Sequence, residues 1–264
     1  MTRCRGEIIL EAQGLEFSYA NPVIRDFSLT LPAGMVTGMI GPNGSGKTTA
    51  LRLLDGILRP AAGTVIFTGA GPLLHLRRRE IARRIAMVPQ NGTVYFDQTV
   101  FHFAMQGRSP HLSLLGFESE LDEEVTLRAL EMTQLTRYMD APVSTLSGGE
   151  KQRLLLARAL AQESEVLLVD ELTANLDISF QIELMRLIAR ITRERNLATL
   201  VVSHEINLLA TFADNVALME AGIILAQGTV AEVVNRANLK HLFGLDFTVR
   251  MLSDGKPEVL PVIN

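Results

Sequence analysis

The chain has 264 residues and a mass of 29.0 kDa, enough for a large buried core in one or two domains. Hydrophobic residues make up 47% and charged residues 20%, a globular balance that excludes a disordered chain. Twenty-five basic against 29 acidic side chains leave a net charge of −4, and 5% aromatics without tryptophan offer little base-stacking surface; both argue against nucleic acid as the partner. Cys4 is the single cysteine, so no internal disulfide can form, and it reads as an incidental thiol. No apolar run approaches the ~18 residues of a membrane helix. Met1–Glu7 lacks the apolar stretch of a signal peptide. The expectation is a soluble, cytoplasmic chain, and a mean hydropathy of +0.21 leaves apolar surface for a partner interface.

Taken in order, the N-terminal 40 residues predict short strands at 8–10, 15–19, 27–31 and 35–40, separated by turns at Asn21-Pro22 and Pro32-Ala33-Gly34. A glycine-rich segment then opens a helix expected to run to Leu58, stopped by Pro60 and Gly63, before a strand at 64–67. Residues 75–84 carry Arg77, Arg78, Arg79, Arg83 and Arg84, interrupted by Glu80, Ile81 and Ala82. That spacing reads as a solvated helix face rather than a nucleic-acid patch. Residues 99–160 read as mainly helical. Buried strands are predicted at 165–170 and 198–204, a helix on Ile178, Ile182, Met185, Ile188 and Ile191 between them, and a hairpin at 216–226. Buried strands alternating with amphipathic helices predict an α/β fold with a parallel core. An antiparallel β layer precedes it, and a helical subdomain of about residues 91–160 interrupts it.

Gly41-Pro42-Asn43-Gly44-Ser45-Gly46-Lys47-Thr48 matches G-x-x-x-x-G-K-[ST] between a predicted strand and a predicted helix. Glycines let backbone amides wrap phosphate oxygens. Lys47 brings a positive charge to the β- and γ-phosphates, Thr48 a hydroxyl for Mg²⁺, and the helix N-terminus its dipole. Asp170 ends an apolar strand more than a hundred residues later, where a carboxylate can hold Mg²⁺. Glu171, directly after it, is placed to orient or deprotonate an attacking water. In Leu146-Ser147-Gly148-Gly149-Glu150, Ser147 can cap a helix while Gly148 and Gly149 expose backbone amides. Two phosphate sites in one chain suggest two chains sharing nucleotides. His75, His102, His111 and His241 are scattered without metal-ligand spacing and read as structural.

Together these segments resemble the ATP-binding cassette (ABC) family of ATPases, over roughly residues 7–235. The resemblance implies a P-loop NTPase core binding ATP and Mg²⁺. It implies that Tyr19 stacks on adenine and that Gly41 to Thr49 hold the phosphates. Thr48, Gln90 and Asp170 hold the metal, and Glu171, Gln90 and His204 serve hydrolysis. Ser147, Gly148, Gly149 and Glu150 contact the γ-phosphate bound by a second copy of the chain, and Asp177 belongs to the loop crossing that dimer interface. The boundaries are an ATPase domain at 1–237 and a short extension at 238–264, too short for the regulatory domain of sugar importers.

Met105-Gln106-Gly107-Arg108-Ser109-Pro110-His111-Leu112, residues 138–146 and Ser203-His204-Glu205-Ile206-Asn207 are similar to importers of iron-siderophores, haem and cobalamin. The resemblance therefore implies a peripheral subunit on the cytoplasmic membrane face, bound to integral-membrane permeases and, through them, to a periplasmic or surface substrate-binding protein. Soluble cassettes of DNA repair are the alternative, but they carry coiled-coil or zinc inserts absent here, and a phosphotransferase has no use for the Leu146–Glu150 segment. Leu172 stands where the family has proline, which should loosen the turn after Glu171. Glu150 replaces a commoner glutamine. Val94, Tyr95, Phe96, Val100 and Phe101 make the connection after Gln90 unusually apolar, which suggests an exposed docking patch for the permease.

Overall fold

The computed structural model describes residues 4–90, 98–112, 117–172 and 177–262. β1 (Ile8–Ser18) lies between β2 (Pro22–Pro32) and β4 (Ala62–Phe67), antiparallel to both, and β5 (Gly71–Pro72) pairs with β4. Two short strands are predicted within residues 8–19, but the chain keeps one continuous strand there. Ala12 and Leu15 are both buried although three apart, which an alternating strand forbids. A register shift between them absorbs the odd residue, so the pairing never breaks.

The central sheet takes β3 (Met35–Ile40), β6 (Ile85–Val88), β7 (Val166–Asp170), β8 (Ala198–Val202), β9 (Asn215–Glu220) and β10 (Ile223–Thr229) in the order β10-β9-β3-β8-β7-β6. All neighbours are parallel except β10 with β9, the predicted hairpin. Every residue of β7 and β8 is buried, because a parallel sheet is covered on both faces. Side chains alternate between two cores. Met39, Leu168 and Leu200 face the antiparallel layer and α1 (Lys47–Leu54). Ile40, Val169 and Val201 face the helices on the other side. α1 ends at Leu54, earlier than predicted, because the chain already turns at Asp55-Gly56 ahead of Pro60.

Between β6 and β7 the described chain is helical, with α3 (Val100–Met105), α4 (Glu120–Met132) and α5 (Gly148–Ala161) packed together. Buried Arg108 clamps this block. It meets Asp122 at the start of α4 at 2.9 Å, Glu163 beyond α5 at 2.9 Å and the Ala161 carbonyl at 2.8 Å. The arginine run forms the predicted helix face around α2 (Arg78–Ala82), with Ile81 buried. Some of its cations hold the chain together: Arg79 and Arg83 both donate to the Pro110 carbonyl.

Val100 corrects the expected docking patch. Thr99 caps α3, and the first turn points Val100 into the core at 0% exposure, while Phe101 packs partly buried against it. Val94, Tyr95 and Phe96 lie outside the described residues. After β7 come α6 (Ile178–Glu194), joining it to β8, and α7 (Ile206–Phe212), joining β8 to β9. The chain ends with α8 (Val230–Val233), α9 (Arg236–Phe243) and an antiparallel hairpin of β11 (Phe247–Met251) and β12 (Pro257–Pro261). Its Phe247 and Val259 sit in the same core as α7. No helix among the described residues is long and apolar enough to cross a membrane.

Candidate active site

Residues 41–46 leave the carboxyl end of β3 and turn into α1, the place where parallel sheets bind ligands. Gly46 is left-handed at φ +103°, and a Cβ there would approach Ile24 Cδ1 to 3.0 Å, so the turn requires glycine. No side chain caps α1 and no acidic residue lies in its first turn. Its leading amides are therefore not capped by any acid of the helix itself. The loop is braced from behind: Gly222, in the β9–β10 turn, donates its amide to the Ser45 carbonyl at 2.9 Å.

Lys47 is 6% exposed, and its Nζ donates to the Gly41 and Pro42 carbonyls at 2.8 and 3.0 Å. Burial lowers its pKa, while Glu171 and Asp170 partly restore it. Asp170 ends β7 next to this ammonium. Burial and the neighbouring Glu171 raise its pKa, and a hydrogen bond from Thr48 opposes them. Asp170 Oδ1 and Ser45 Oγ are buried without a hydrogen-bond partner among the described residues. Unsatisfied buried oxygens beside a lysine and a threonine hydroxyl mark a place built to complete its bonding with something else.

Glu171 adopts φ +45°, a strained conformation for a residue with a Cβ. Its amide donates to the Val202 carbonyl of β8 at 3.1 Å. Leu172 is 1% exposed in the main core. The loosening expected from leucine is thus opposed by a buried side chain, which contributes ~1.5–3 kcal/mol where proline would have fixed φ instead. Gln90 Nε2 donates to Glu171 Oε2 at 2.8 Å, and His204 Nε2 contacts Glu171 Oε1. Three sites more than 30 residues apart in sequence thus meet on one carboxylate, beyond the carboxyl ends of β6, β7 and β8.

Tyr19 is 55% exposed in the turn closing the β1–β2 hairpin, its ring edge-on to Phe17 at 4.9 Å. The Gly46 contact with Ile24 places that end of the hairpin beside the glycine-rich loop. Ser147 and Glu150 form a capping box at the start of α5. Glu150 Oε2 accepts from the Ser147 amide at 2.9 Å and from Ser147 Oγ at 2.7 Å. A further bond from Tyr138, ahead of those from Ser147, pulls its pKa from 4.5 to about 2. Gly149 lies under Phe180 of α6, and a Cβ there would come within 2.7 Å of the ring. Asp177 caps α6, accepting from the Phe180 amide at 3.0 Å. Residues 173–176, which precede it, lie outside the described residues. Tyr138 and Phe180 were not singled out as partners of Leu146–Glu150 in the sequence. The signal for Phe180 is its place one turn beyond Asp177, and that for Tyr138 its place at the head of the 138–146 segment that leads into Leu146.

A family model described as "ABC transporter" matches residues 24–174. The ferric enterobactin transport ATP-binding protein of Escherichia coli is 36% identical over 99% of this chain and 95% of its own length. The iron(3+)-hydroxamate import ATP-binding protein of Bacillus subtilis is 35% identical over 90% of this chain and 88% of its own. Among solved structures, a metal-chelate type ABC transporter in an inward-facing conformation superposes with a TM-score of 0.84 at 26% identity, covering 97% of this chain and 98% of that one.

Proposed function

This chain belongs to the ABC transporter family, and from that premise we propose that it is the ATP-hydrolysing subunit of an importer of iron-siderophore, haem or cobalamin-like chelates. The observation that carries the hydrolytic reading is the convergence of Gln90 and His204 on Glu171, one residue from Asp170 and close enough to bias Lys47. The chelate class rests on the similarity to siderophore-related subunits over nearly the whole chain.

ATP binds with its phosphates against the uncapped N-terminus of α1, where Lys47 exchanges loop carbonyls for phosphate oxygens. Tyr19, exposed beside the loop, supplies a face for adenine. Thr48 and Asp170 fit Mg²⁺: a hydroxyl, a carboxylate and an unsatisfied buried oxygen are hard ligands. When bound, the ion neutralises charge on the phosphates. Glu171 orients the attacking water and accepts its proton, and its two oxygens are aimed by Gln90 and His204. The strain at Glu171 holds the carboxylate forward of the strand end. The γ-phosphate is completed by Ser147, Gly148 and Gly149 of a second copy, in a head-to-tail homodimer whose interface Asp177 approaches. Closure and reopening of that dimer drive two integral-membrane permease subunits from the cytoplasmic face, and a substrate-binding protein delivers the chelate to them.

Glu171→Gln tests the hydrolytic centre. It should keep ATP binding and lower steady-state phosphate release by roughly 10²–10⁴-fold, the range for losing general-base assistance. Unchanged phosphate release would overturn the assignment. Co-purification of a polytopic membrane partner that raises ATPase activity when its chelate is supplied tests the transport role.

A further inference from the structure

α7 has seven residues, well below the ~12–15 at which an isolated helix holds its own shape. Its N-cap, Glu205, makes no side-chain cap. Yet this helix begins two residues after His204, which is 44% exposed in its side chain and so is not fixed by burial. His204 stands between the end of β8 and the start of α7, bridged locally by the Glu205 amide donating to Ser203 Oγ at 3.1 Å, and those two ends set where its ring meets Glu171.

β8 is locked inside the sheet. α7 is held from outside, at both ends, by the C-terminal hairpin. In its first turn, Asn207 Nδ2 donates to the Val259 carbonyl at 2.9 Å, and Asn207 Oδ1 accepts from the Val259 amide at 2.8 Å. The side-chain amide thus pairs with the edge of β12 as a neighbouring strand would. Beyond its last turn, Lys256 Nζ donates to the Ala213 carbonyl at 2.6 Å, a cation on the negative end of the helix. The inner face is seated as well, since Leu209 packs where a Cβ on Gly38 of β3 would meet it at 3.2 Å.

We propose that the β11–β12 hairpin is a splint for the hydrolytic centre, and that Asn207 and Lys256 are positioning residues which, through α7, set where His204 meets Glu171. The proposal rests on the reading of His204 as part of that centre. Its chemistry predicts a split in the kinetics. Asn207 bonds to Val259 and Lys256 to Ala213, neither of them in the glycine-rich loop, so releasing the splint leaves ATP binding alone and slows the step that needs His204 in place.

The test uses the full-length chain, with kcat and KM for ATP measured for Asn207→Ala in the native background and in His204→Ala. In the native background kcat should fall roughly three- to tenfold, the size of coupling within one hydrogen-bonded network, with KM within about twofold. In His204→Ala the same substitution should cost nothing more, because the residue it positions is gone. Lys256→Met should behave like Asn207→Ala, and Lys256→Arg, which keeps a donor for the Ala213 carbonyl, should restore turnover. Equal losses in both backgrounds would make the hairpin merely structural and overturn the splint. So would full turnover for Asn207→Ala and Lys256→Met while His204→Ala is impaired. If His204→Ala itself turns over normally, the reading of His204 fails and takes the splint with it.

Discussion

Two glycine-rich segments open helices in this protein, and they are finished in opposite ways. At residues 41–48 the helix starts uncapped, its cap residue is a left-handed glycine, and the first turn holds a lysine and no acid. At residues 146–150 the helix caps itself, with Ser147 and Glu150 bonded reciprocally and a carboxylate seated where an anion would go. The first segment leaves its amides uncapped, as the proposed phosphate site requires. The second has spent part of its capacity inside the chain and carries a negative charge, so alone it makes a poor phosphate site. In the proposed homodimer it would meet a phosphate already held and neutralised by the other segment of another copy. What looks in sequence like two equivalent phosphate loops is an uncapped helix start and a self-capped one, and the proposed homodimer makes the first the primary site and the second a dependent one.

The largest effect that could break this comparison is a loss of binding against a loss of turnover. Lys47→Ala should weaken ATP binding by roughly 10–100-fold, the worth of charge-assisted hydrogen bonds. Ser147→Arg should bind ATP within about twofold of the native chain and yet lose at least ~10-fold in turnover, since closure on a second copy is blocked. Equilibrium nucleotide binding and phosphate release measure the two arms. A mixture of the two variants leaves at most one composite site per heterodimer. Normal hydrolysis by Ser147→Arg would make the second segment dispensable.

A smaller effect concerns how the dependent site is held. Gly149→Ala puts a Cβ against the Phe180 ring and should destabilise the fold by ~1–3 kcal/mol, as overpacking does. Phe180→Leu in the same chain should recover much of that loss. Denaturant midpoints of the single and double variants decide it. If the pair is additive, the contact does not tie α5 to α6.

The smallest effect lies in acid. Glu150 has a folded pKa depressed from 4.5 to about 2, so its bonds stabilise the fold above 4.5 and are lost as pH falls toward 2. Glu150→Gln does not titrate. The native chain should therefore lose thermal stability relative to Glu150→Gln across that window, and the two should run parallel above it. Tyr138→Phe removes the largest cause of the depression, which should move the loss to higher pH. Parallel melting curves throughout would mean that Glu150 is not engaged in the cap.

Local chemistry made much of the candidate site legible before any fold was known. Lys47, Thr48, Asp170 and Glu171 are readable because a phosphate loop and a strand-end carboxylate pair need those residue types at contiguous positions. The parallel core is readable from β7 and β8, whose uninterrupted apolar runs admit few other placements. The same logic misled at residues 8–19, where pairing with β2 and β4 carried one strand across an irregularity that looked like a break. It misled again at Val100, because apolar composition says that a residue must be buried somewhere but not by which neighbour.

Residue types and their short-range spacing thus determined the nucleotide chemistry, the alternation of strands and helices, and the likeness to a family. Tertiary structure alone decided that Gln90 and His204 share one carboxylate, that Phe180 covers Gly149, that Leu172 is a buried anchor, and that Asn207 grips a strand 52 residues further on. Those contacts join segments whose spacing along the chain does not show that they meet; for Gln90, Glu171 and His204 only the family resemblance grouped them. They exist because the sheet order β10-β9-β3-β8-β7-β6 brings the ends of distant strands side by side, and a single sequence records the strands but not that order.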